Sequence, residues 1–348
     1  MPTSKHSFHI HRDQVHLKWT KKQPPALTVS PGDIVTFDCI DGSNYQVTPQ
    51  STSDAILNFD VSLADPVFGP VYVNGAEPGD ALEIEVVELQ TADWGWTAIV
   101  PNFGLLQKEF EEPCLKIWKL PEGRHDSVNG EAMTGVGNRR SERLAVFNDQ
   151  IRIPLRPFMG TMGVAPGDDG EYSTIPPLET GGNIDCRHIT EGTRLILPVR
   201  TPGALFSCGD GHAAQGDGEV CGSAIETPMK VTLRFSVLKN HDWVQSPHFR
   251  SPPESEGPRR VLPDRGSYST MGIDSDLLEA SRKAVRAMIQ YLGRTRGLSR
   301  TDAYMLSSIA VDMRIAEIVD MPNHAVTATL PLNIFVDEAN GTTCSDHP

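Results

Sequence analysis

Long apolar runs, clustered basic residues and paired cysteines are all missing from this sequence of 348 residues. No stretch approaches the roughly 18 apolar residues that cross a bilayer, and the N-terminal residues lack the apolar region of a signal peptide. The net charge of −14 opposes binding to a nucleic-acid backbone. The six cysteines form no CxxC pair, which argues against a zinc ribbon and indicates reduced thiols. These absences predict a cytoplasmic protein that binds neither membrane nor nucleic acid.

The motifs of several enzyme classes are missing as well. There is no GxSxG nucleophile elbow, no HExxH helix, and no P-loop or dinucleotide-binding glycine pattern. The stretch GDGHAAQGDGE departs from an EF-hand, because Ala214 stands where the fifth-position oxygen ligand is required. We therefore expect none of these standard sites.

Short alternating segments separated by turns predict a mainly β fold of the jelly-roll or β-sandwich kind. The N-terminal strand-like segments are Ala26–Val29, Asp33–Asp38, Val71–Val73 and Ala81–Leu89. The second and the fourth of these each begin at a Pro-Gly-Asp turn, and the content of 30 Gly and 27 Pro indicates many more turns. We therefore expect strands to form most of the core.

Helical periodicity is found only towards the C-terminus. The apolar residues at helical spacing are Leu277, Leu278, Ala284, Val285, Met288, Ile289 and Leu292. Asp274 or Ser275 is the expected N-cap of this helix and Gly293 its end. A capping box at Ser299–Asp302 predicts a second helix that runs to about Arg314. The sequence thus predicts a smaller C-terminal α+β portion.

We divide the chain into an N-terminal β-sandwich-like part (residues 1–120), a central β part (121–240) and the C-terminal portion (241–348), closely packed as one unit. Residues 123–140 are polar and glycine-rich and predict a long surface connection. Proline, serine and charged residues between 240 and 265 indicate a loop at the second boundary.

Carboxylates and imidazoles are concentrated among glycines between Gly181 and Glu226. Carboxylates beside glycines more often form turns, but this density favours a functional cluster. Mixed histidine and carboxylate ligands with an open position are typical of a catalytic zinc site, where an acidified water molecule attacks a carbonyl. Glu226 is equally compatible with a buried carboxylate that orients a ligand and with a surface charge at a strand end.

Three stretches of the chain carry a recognisable pattern: GGNIDCRHI, PGALFSCGDGHAAQGDGEVCGSAIE and RPFMGTMGVAP. Together with HLKWTKKQPPALTVSPGDIVTF, FGPVYVNGAEPGDALEIEVVEL and SIAVDMRIAEIVDMPNHAVTATLPLNIF, they resemble the acetamidase/formamidase family of amide hydrolases over most of the chain, in unchanged order. The resemblance implies a mostly β, jelly-roll-like fold with a smaller α+β part. It also implies hydrolysis of a small neutral amide, linear or cyclic, to a carboxylate and ammonia or an amine, with a divalent metal.

The resemblance extends to the polar positions Asn183, Asp185, Asp210, His212, Gln215, Asp217 and Glu219. We hypothesise that Asp185, His212 and Glu219 hold the metal, zinc being the first expectation, and that a metal-activated water attacks the amide carbonyl. Asp210 or Glu219 would carry the proton to the leaving nitrogen. Four residues are expected to contact the substrate: Asn183, Gln215, His16 and Glu77. A homo-oligomer is expected for an enzyme of this kind.

Two other hypotheses stay open. Cys208 or Cys221 could be the nucleophile of a thiol-dependent amidase, although acidic surroundings would raise a thiol pKa. A non-catalytic β-sandwich module could instead hold a cation or a carbohydrate in the glycine-rich loop. Such a module would need exposed aromatic side chains, and Trp94 and Trp96 are the only close tryptophan pair.

Overall fold

The computed structural model describes residues 7–121, 143–253 and 265–335 of the chain. The surface connection predicted at residues 123–140 lies outside the described residues. Residues 254–264 of the loop predicted between 240 and 265 lie outside them as well.

Strands make up most of the regular structure in the described residues. In chain order the strands are β1 (Ser7–Ile10), β2 (Val15–His16), β3 (Lys18–Trp19), β4 (Leu27–Val29), β5 (Ile34–Cys39), β6 (Val67–Val73), β7 (Ala81–Thr91), β8 (Trp94–Ile99), β9 (Cys114–Lys119), β10 (Leu144–Val146), β11 (Arg152–Pro154), β12 (Phe158–Gly163), β13 (Tyr172–Ser173), β14 (Gly181–Asn183), β15 (Arg194–Pro198), β16 (Phe206–His212), β17 (Met229–Leu238), β18 (His248–Ser251), β19 (Ser267–Asp274), β20 (Asp312–Glu317) and β21 (His324–Pro331). The helices are α1 (Asp54–Leu57), α2 (Leu277–Arg296) and α3 (Arg300–Ala310), with 3-10 turns at Val61–Leu63 and Leu332–Ile334.

Two sheets face one another as a β-sandwich. The larger sheet has nine strands in the order β1-β5-β17-β7-β15-β18-β19-β21-β20, and the smaller has the order β14-β12-β16-β6-β2 with β4 also paired to β6. Phe206 of the smaller sheet contacts Phe37 and Phe235 of the larger one, with ring centroids 6.0 and 5.2 Å apart. Buried positions alternate along β5 and β17, as expected for strands with one face on a core. The predicted mainly β, sandwich-like fold is confirmed.

The turns that precede β5 and β7 explain where these strands begin. The turn residues Gly32 and Gly79 have φ of 96° and 93°. Glycine adopts this left-handed conformation without the Cβ clash that other residues suffer, so each Pro-Gly-Asp turn reverses the chain and starts a strand. All four predicted N-terminal strands are present, as β4, β5, part of β6, and β7.

The nine-stranded sheet takes neighbouring strands from all three predicted parts of the chain, since β7, β15 and β18 lie side by side. β18 falls within the loop expected between residues 240 and 265, and that part of the prediction is wrong. His248 pairs with Ile196 of β15 and with Thr270 of β19, so this short strand joins the C-terminal portion to the rest of the sheet.

Both predicted helices are present, with corrected ends. The N-cap of α2 is Asp276, whose side chain accepts a hydrogen bond from the Glu279 amide, rather than Asp274 or Ser275. α2 continues past Gly293 to Gly297, which has φ of 65° and ends the helix in the left-handed conformation.

α3 begins as predicted, because the Ser299 side chain accepts from the Asp302 amide. It stops at Ala310, before Arg314, because residues 312–317 pair with β21 as strand β20. Among the residues described, neither α2 nor any other helix is long and apolar enough to cross a membrane.

Candidate active site

Strand β12 brings together two parts of the chain that carry polar side chains. It pairs on one side with β14, where Thr161 lies opposite Asn183, and on the other with β16, where Phe158 lies opposite His212. Gly160 of β12 leaves the space into which the flanking side chains project. A Cβ at this position would lie 2.4 Å from Asp210 Oδ2, 2.5 Å from Asp185 Oδ1 and 2.9 Å from His212 Cε1. The predicted ligands therefore meet over a glycine.

The imidazole of His212 is at the centre of the cluster and is 1 % exposed. Gln215 Nε2 donates to the Asp185 carbonyl over 2.9 Å, which turns Gln215 Oε1 towards His212 Nδ1 at 2.8 Å. An amide oxygen only accepts hydrogen bonds, so Nδ1 carries the hydrogen. In the neutral imidazole, Nε2 then presents its lone pair.

Two carboxylates face Nε2. Asp210 Oδ2 lies 2.9 Å from His212 Nε2, and Glu226 Oε2 lies 3.1 Å from it. Asp185 Oδ1 is on the other side of the ring, 3.7 Å from Nδ1. Both carboxylate oxygens of Asp185, and Oε2 of Glu226, are buried without a hydrogen-bond donor among the described residues. Converging acceptors of this kind need a proton or a cation between them.

Two groups of three side chains meet the distance requirement for a metal site. Each offers one ligand atom per residue, and the three atoms lie within 4.8 Å of one another. One group is Asp185, His212 and Glu219, the set expected from the sequence, and the other is Asp210, His212 and Glu226. The structure thus brings the three expected ligands together and adds Glu226, which is 4 % exposed and not a surface charge.

The charges of the cluster shift the pKa values of its members in opposite directions. Burial would lower the pKa of His212, but the charges of Asp210 and Glu226 raise it well above its usual value. Burial would raise the pKa of Asp210, but the His212 charge and hydrogen bond lower it. Burial raises the pKa of Glu226 to about 8, and the neighbouring Asp210 adds to this effect. The pKa of Asp210 is therefore lowered and that of Glu226 raised, so the two carboxyl groups beside His212 differ in acidity.

The other two carboxylates also have raised pKa values. Burial raises the pKa of Asp185 to about 6, against the opposing charge of His212. Burial and the nearby Asp185 charge raise the pKa of Glu219 well above its usual range. The carboxyl groups of the site therefore have pKa values shifted in opposite directions, which suits proton transfer in both directions.

Four carboxylate residues of this region have left-handed backbone conformations. Asp185, Asp210 and Glu219 have φ of 40°, 56° and 45°, and Asp65 has φ of 50°. Residues other than glycine adopt this region at a cost of about 1–3 kcal/mol each, and such residues cluster at functional sites. The surrounding sheet holds these four side chains in positions that a relaxed backbone would not give them.

Three further carboxylates, which the sequence did not indicate, lie against the cluster. A Cβ on Gly42 would be 3.1 Å from Asp65 Oδ1 and 2.6 Å from Asp210 Oδ1, so both oxygens approach the same backbone atom. Asp320 Oδ2 accepts from Asn183 Nδ2 over 3.1 Å. Glu317 Oε2 accepts from the Asp320 amide over 3.0 Å, and burial raises the pKa of Glu317 to about 8. These residues extend the group of buried carboxylates beyond the candidate metal ligands.

A cavity of about 60 Å³ opens beside the cluster. Its polar wall contains Asp65, Asn183, Asp210, His212, Glu219 and Glu226. Its apolar wall contains Phe59, Val61, Trp96, Val100, Phe103 and Ile175. Sites for drug-sized ligands hold about 300–1,000 Å³, and one water molecule takes about 30 Å³ of liquid. The cavity therefore fits a molecule of a few non-hydrogen atoms.

Three of the four expected substrate contacts are not among the residues that line this cavity. His16 hydrogen-bonds Ser207 Oγ and the Lys18 carbonyl at the other end of β16, and Glu77 is exposed in the turn before β7. Gln215 supports the imidazole of His212 instead. Asn183 does line the cavity, and its side chain bridges Asp320 and Thr161.

The two candidate thiols differ in their surroundings. Cys208 is completely buried in the core between the sheets, and burial raises the pKa of its thiol well above the usual value. Cys221 lies in the loop after Glu219, with its Sγ 3.5 Å from the Ser223 carbonyl. Neither sulfur is part of the cavity wall.

A family model and two relatives show which proteins this chain resembles in sequence. A model of the acetamidase/formamidase family matches residues 3–170 and 169–337. The chain is 30% identical to the acetamidase of Mycolicibacterium smegmatis over 85% of this chain and 86% of that protein. It is 26% identical to the formamidase of Methylophilus methylotrophus over 92% of this chain and 89% of that protein.

Solved structures of similar proteins share the same architecture. The acetamidase of Bacillus halodurans superimposes with a TM-score of 0.79 at 27% identity, covering 94% of this chain and 98% of that one. The acetamidase of Yersinia enterocolitica gives 0.80 at 26% identity, covering 97% and 95%. A gamma lactamase from Delftia acidovorans, at 24% identity over 95% and 92% of the two chains, has a TM-score of 0.60 and shares the fold.

Proposed function

The chain belongs to the acetamidase/formamidase family of amide hydrolases, and we propose that it cleaves the C–N bond of a small neutral amide to a carboxylate and ammonia. The observation that supports this proposal best is the cluster beside the cavity, where carboxyl groups with lowered and raised pKa values surround one buried imidazole. Amide hydrolysis needs a group that removes a proton from water and a group that protonates the leaving nitrogen. The cluster offers candidates for both.

The residues also fit a divalent cation. We propose that Asp210, His212 through Nε2, and Glu226 hold it, because Nδ1 of His212 is engaged by Gln215 and Nε2 faces the two carboxylates. The unpartnered Oε2 of Glu226 supports this choice. Zinc is the ion that a mixed histidine and carboxylate set suits. When bound, such an ion polarises a carbonyl and lowers the pKa of water.

Glu219 is the best candidate for the proton donor. It lines the cavity, and burial together with the Asp185 charge raises its pKa well above the usual range, which favours its protonated form. An amine leaves only when its nitrogen is protonated, since the tetrahedral intermediate otherwise returns to the amide. Asp185, with a pKa of about 6, is ionised at neutral pH and accepts the proton of the attacking water. Asn183 has a second amide hydrogen beyond the one given to Asp320, and it can bind the oxyanion.

The primary test is ammonia release by purified protein of measured metal content. Formamide, acetamide, propionamide, butyramide and 2-pyrrolidinone form the substrate panel. Hydrolysis that is lost on chelation and recovered with zinc supports the proposal. No ammonia from any amide by the metal-loaded protein refutes it, and activity that resists chelation while thiol reagents abolish it favours the thiol hypothesis.

Two matched variants separate the two groups of possible ligands. Glu226→Gln is expected to lower zinc affinity by at least about tenfold, because a ligand oxygen loses its charge, whereas Glu219→Gln is expected to keep zinc and lose kcat. Titration of zinc into the metal-free proteins measures both. The reverse result assigns the ion to Asp185, His212 and Glu219.

A further inference from the structure

The apolar wall of the cavity restricts what can be attached to the carbonyl carbon of the substrate. Glu219, the proposed proton donor, and the proposed metal ligands Asp210, His212 and Glu226 belong to the polar wall, so the reacting C–N bond lies against them and the acyl substituent contacts the apolar side chains. This reasoning rests on the proposed amide hydrolysis. It leaves open which apolar side chain sets the length of the acyl group.

One short segment, residues 59–65, contributes to both walls. Phe59 and Val61 belong to the apolar wall, and Asp65 at the other end belongs to the polar wall. Of the apolar side chains that line the cavity, Val61 is the one that is exposed. Val61 is 45% exposed, so it lies at the opening of the cavity rather than in its interior.

Hydrogen bonds fix the position of this segment. Gln46 Nε2 donates to the Asp60 carbonyl over 3.0 Å, and Gln46 Oε1 accepts from the Asp60 amide over 2.7 Å. Asn44 Nδ2 donates to the Leu63 carbonyl over 3.1 Å. Asp60 caps the 3-10 turn by accepting from the Ser62 amide over 2.9 Å. Val61 is therefore held on a supported turn and cannot withdraw from a long acyl chain without breaking these bonds.

The deeper part of the apolar wall is fixed as well. Trp96 is 5 % exposed and its indole Nε1 donates to Asp41 Oδ1 over 2.9 Å. Phe59 packs on Trp96 with ring centroids 6.4 Å apart. A substituent that outgrows this space extends towards solvent, and Val61 is the exposed apolar side chain of the lining. We propose that Val61 determines the acyl-chain length that the enzyme accepts.

The test compares kcat/KM for butyramide and acetamide in three variants. Burial of one methylene contributes about 0.8 kcal/mol, which is roughly fourfold in kcat/KM. Val61→Ala removes the obstruction and is expected to raise the butyramide-to-acetamide ratio at least about fourfold. Val61→Phe fills the opening and is expected to lower it about tenfold, as when a pocket has no room for a methylene. Leu63→Ala is the matched control, because Leu63 lies in the same turn, is 41% exposed and is not part of the wall.

The outcomes separate this inference from the function on which it rests. Opposite shifts of the ratio in the two Val61 variants, with the ratio of Leu63→Ala unchanged, support it. A ratio that does not move in active Val61 variants, or that moves as much in Leu63→Ala, overturns it while amide hydrolysis stands. Wild-type protein that hydrolyses no amide overturns the proposed function itself.

Discussion

Gly160→Ala tests whether the side chains of the cluster are as closely packed as the structure has them. The added methyl would lie 2.4 Å from Asp210 Oδ2 and 2.5 Å from Asp185 Oδ1, and such contacts are essentially never found below 3.0 Å. The Asp210 oxygen must therefore withdraw by at least about 0.6 Å. The other Asp210 oxygen, Oδ1, already lies against Gly42, in space that a Cβ there would fill.

Overpacking of a buried site costs about 1–3 kcal/mol of stability, and displacement of catalytic groups by about 1 Å costs up to about 100-fold in rate. We therefore expect Gly160→Ala to lower kcat/KM for acetamide by about 10- to 100-fold and to lower Tm by several degrees. Amide hydrolysis and thermal unfolding measure the two effects. Gly216→Ala is the control, since a Cβ there meets no atom within 4 Å. Full activity and an unchanged Tm in Gly160→Ala would refute the close approach.

Three other variants test the orientation of His212, the effect of burial on Glu317, and the thiol hypothesis. Gln215→Ala removes the acceptor of the His212 Nδ1 hydrogen, so zinc affinity is expected to fall about 10- to 100-fold. Titration with a chelator measures this affinity, and an unchanged value contradicts the orienting role of Gln215. Burial raises the pKa of Glu317 from 4.5 to about 8, so its contribution to the stability of the metal-free protein is complete below pH 4.5 and is lost as the pH rises through 8. Glu317→Gln is expected to remove this loss, which is at most about 1.4 kcal/mol per pH unit, and parallel denaturant-unfolding curves of the two proteins against pH would contradict the assignment. Cys208→Ala is expected to keep kcat/KM for acetamide within about twofold, because its thiol is buried outside the cavity and stays protonated; loss of all activity in a folded variant would restore the thiol hypothesis.

The starts of β5, β7 and α3 were predictable because local chemistry determines them. Pro-Gly-Asp turns start β5 and β7, and the Ser299 side chain caps α3 through bonds between residues close in sequence. β18 was missed because its four residues are surrounded by prolines and are strand only through pairing with β15 and β19. The end of α3 was missed for the same reason, since the pairing of β20 with β21 stops the helix.

The site was predictable where its residues are close in sequence and not elsewhere. Asp185, Asp210, His212 and Glu219 stood out as a dense group, and the structure joins them through β12. Asp65 was missed because it reaches the cluster only through the pairing of β6 with β16. Its local signal, an aspartate before Pro66 and a strand, is that of an ordinary turn. His16 and Glu77 were expected to contact the substrate because of their positions in the sequence. Sequence position does not show which end of a strand faces the cavity.

The carboxylate residues with a left-handed backbone conformation affect how this sequence can evolve. At Asp185, Asp210 and Glu219 the backbone has the conformation that glycine adopts without strain, and the side chains there repel one another. On the proposed mechanism, the sequence that folds most stably is therefore not the most active one. A gene copy released from selection for catalysis would gain stability by exchanging these residues for glycine or asparagine. Retention of all three in a diverging lineage is thus a record of continued use, and their replacement marks the point at which the activity was given up.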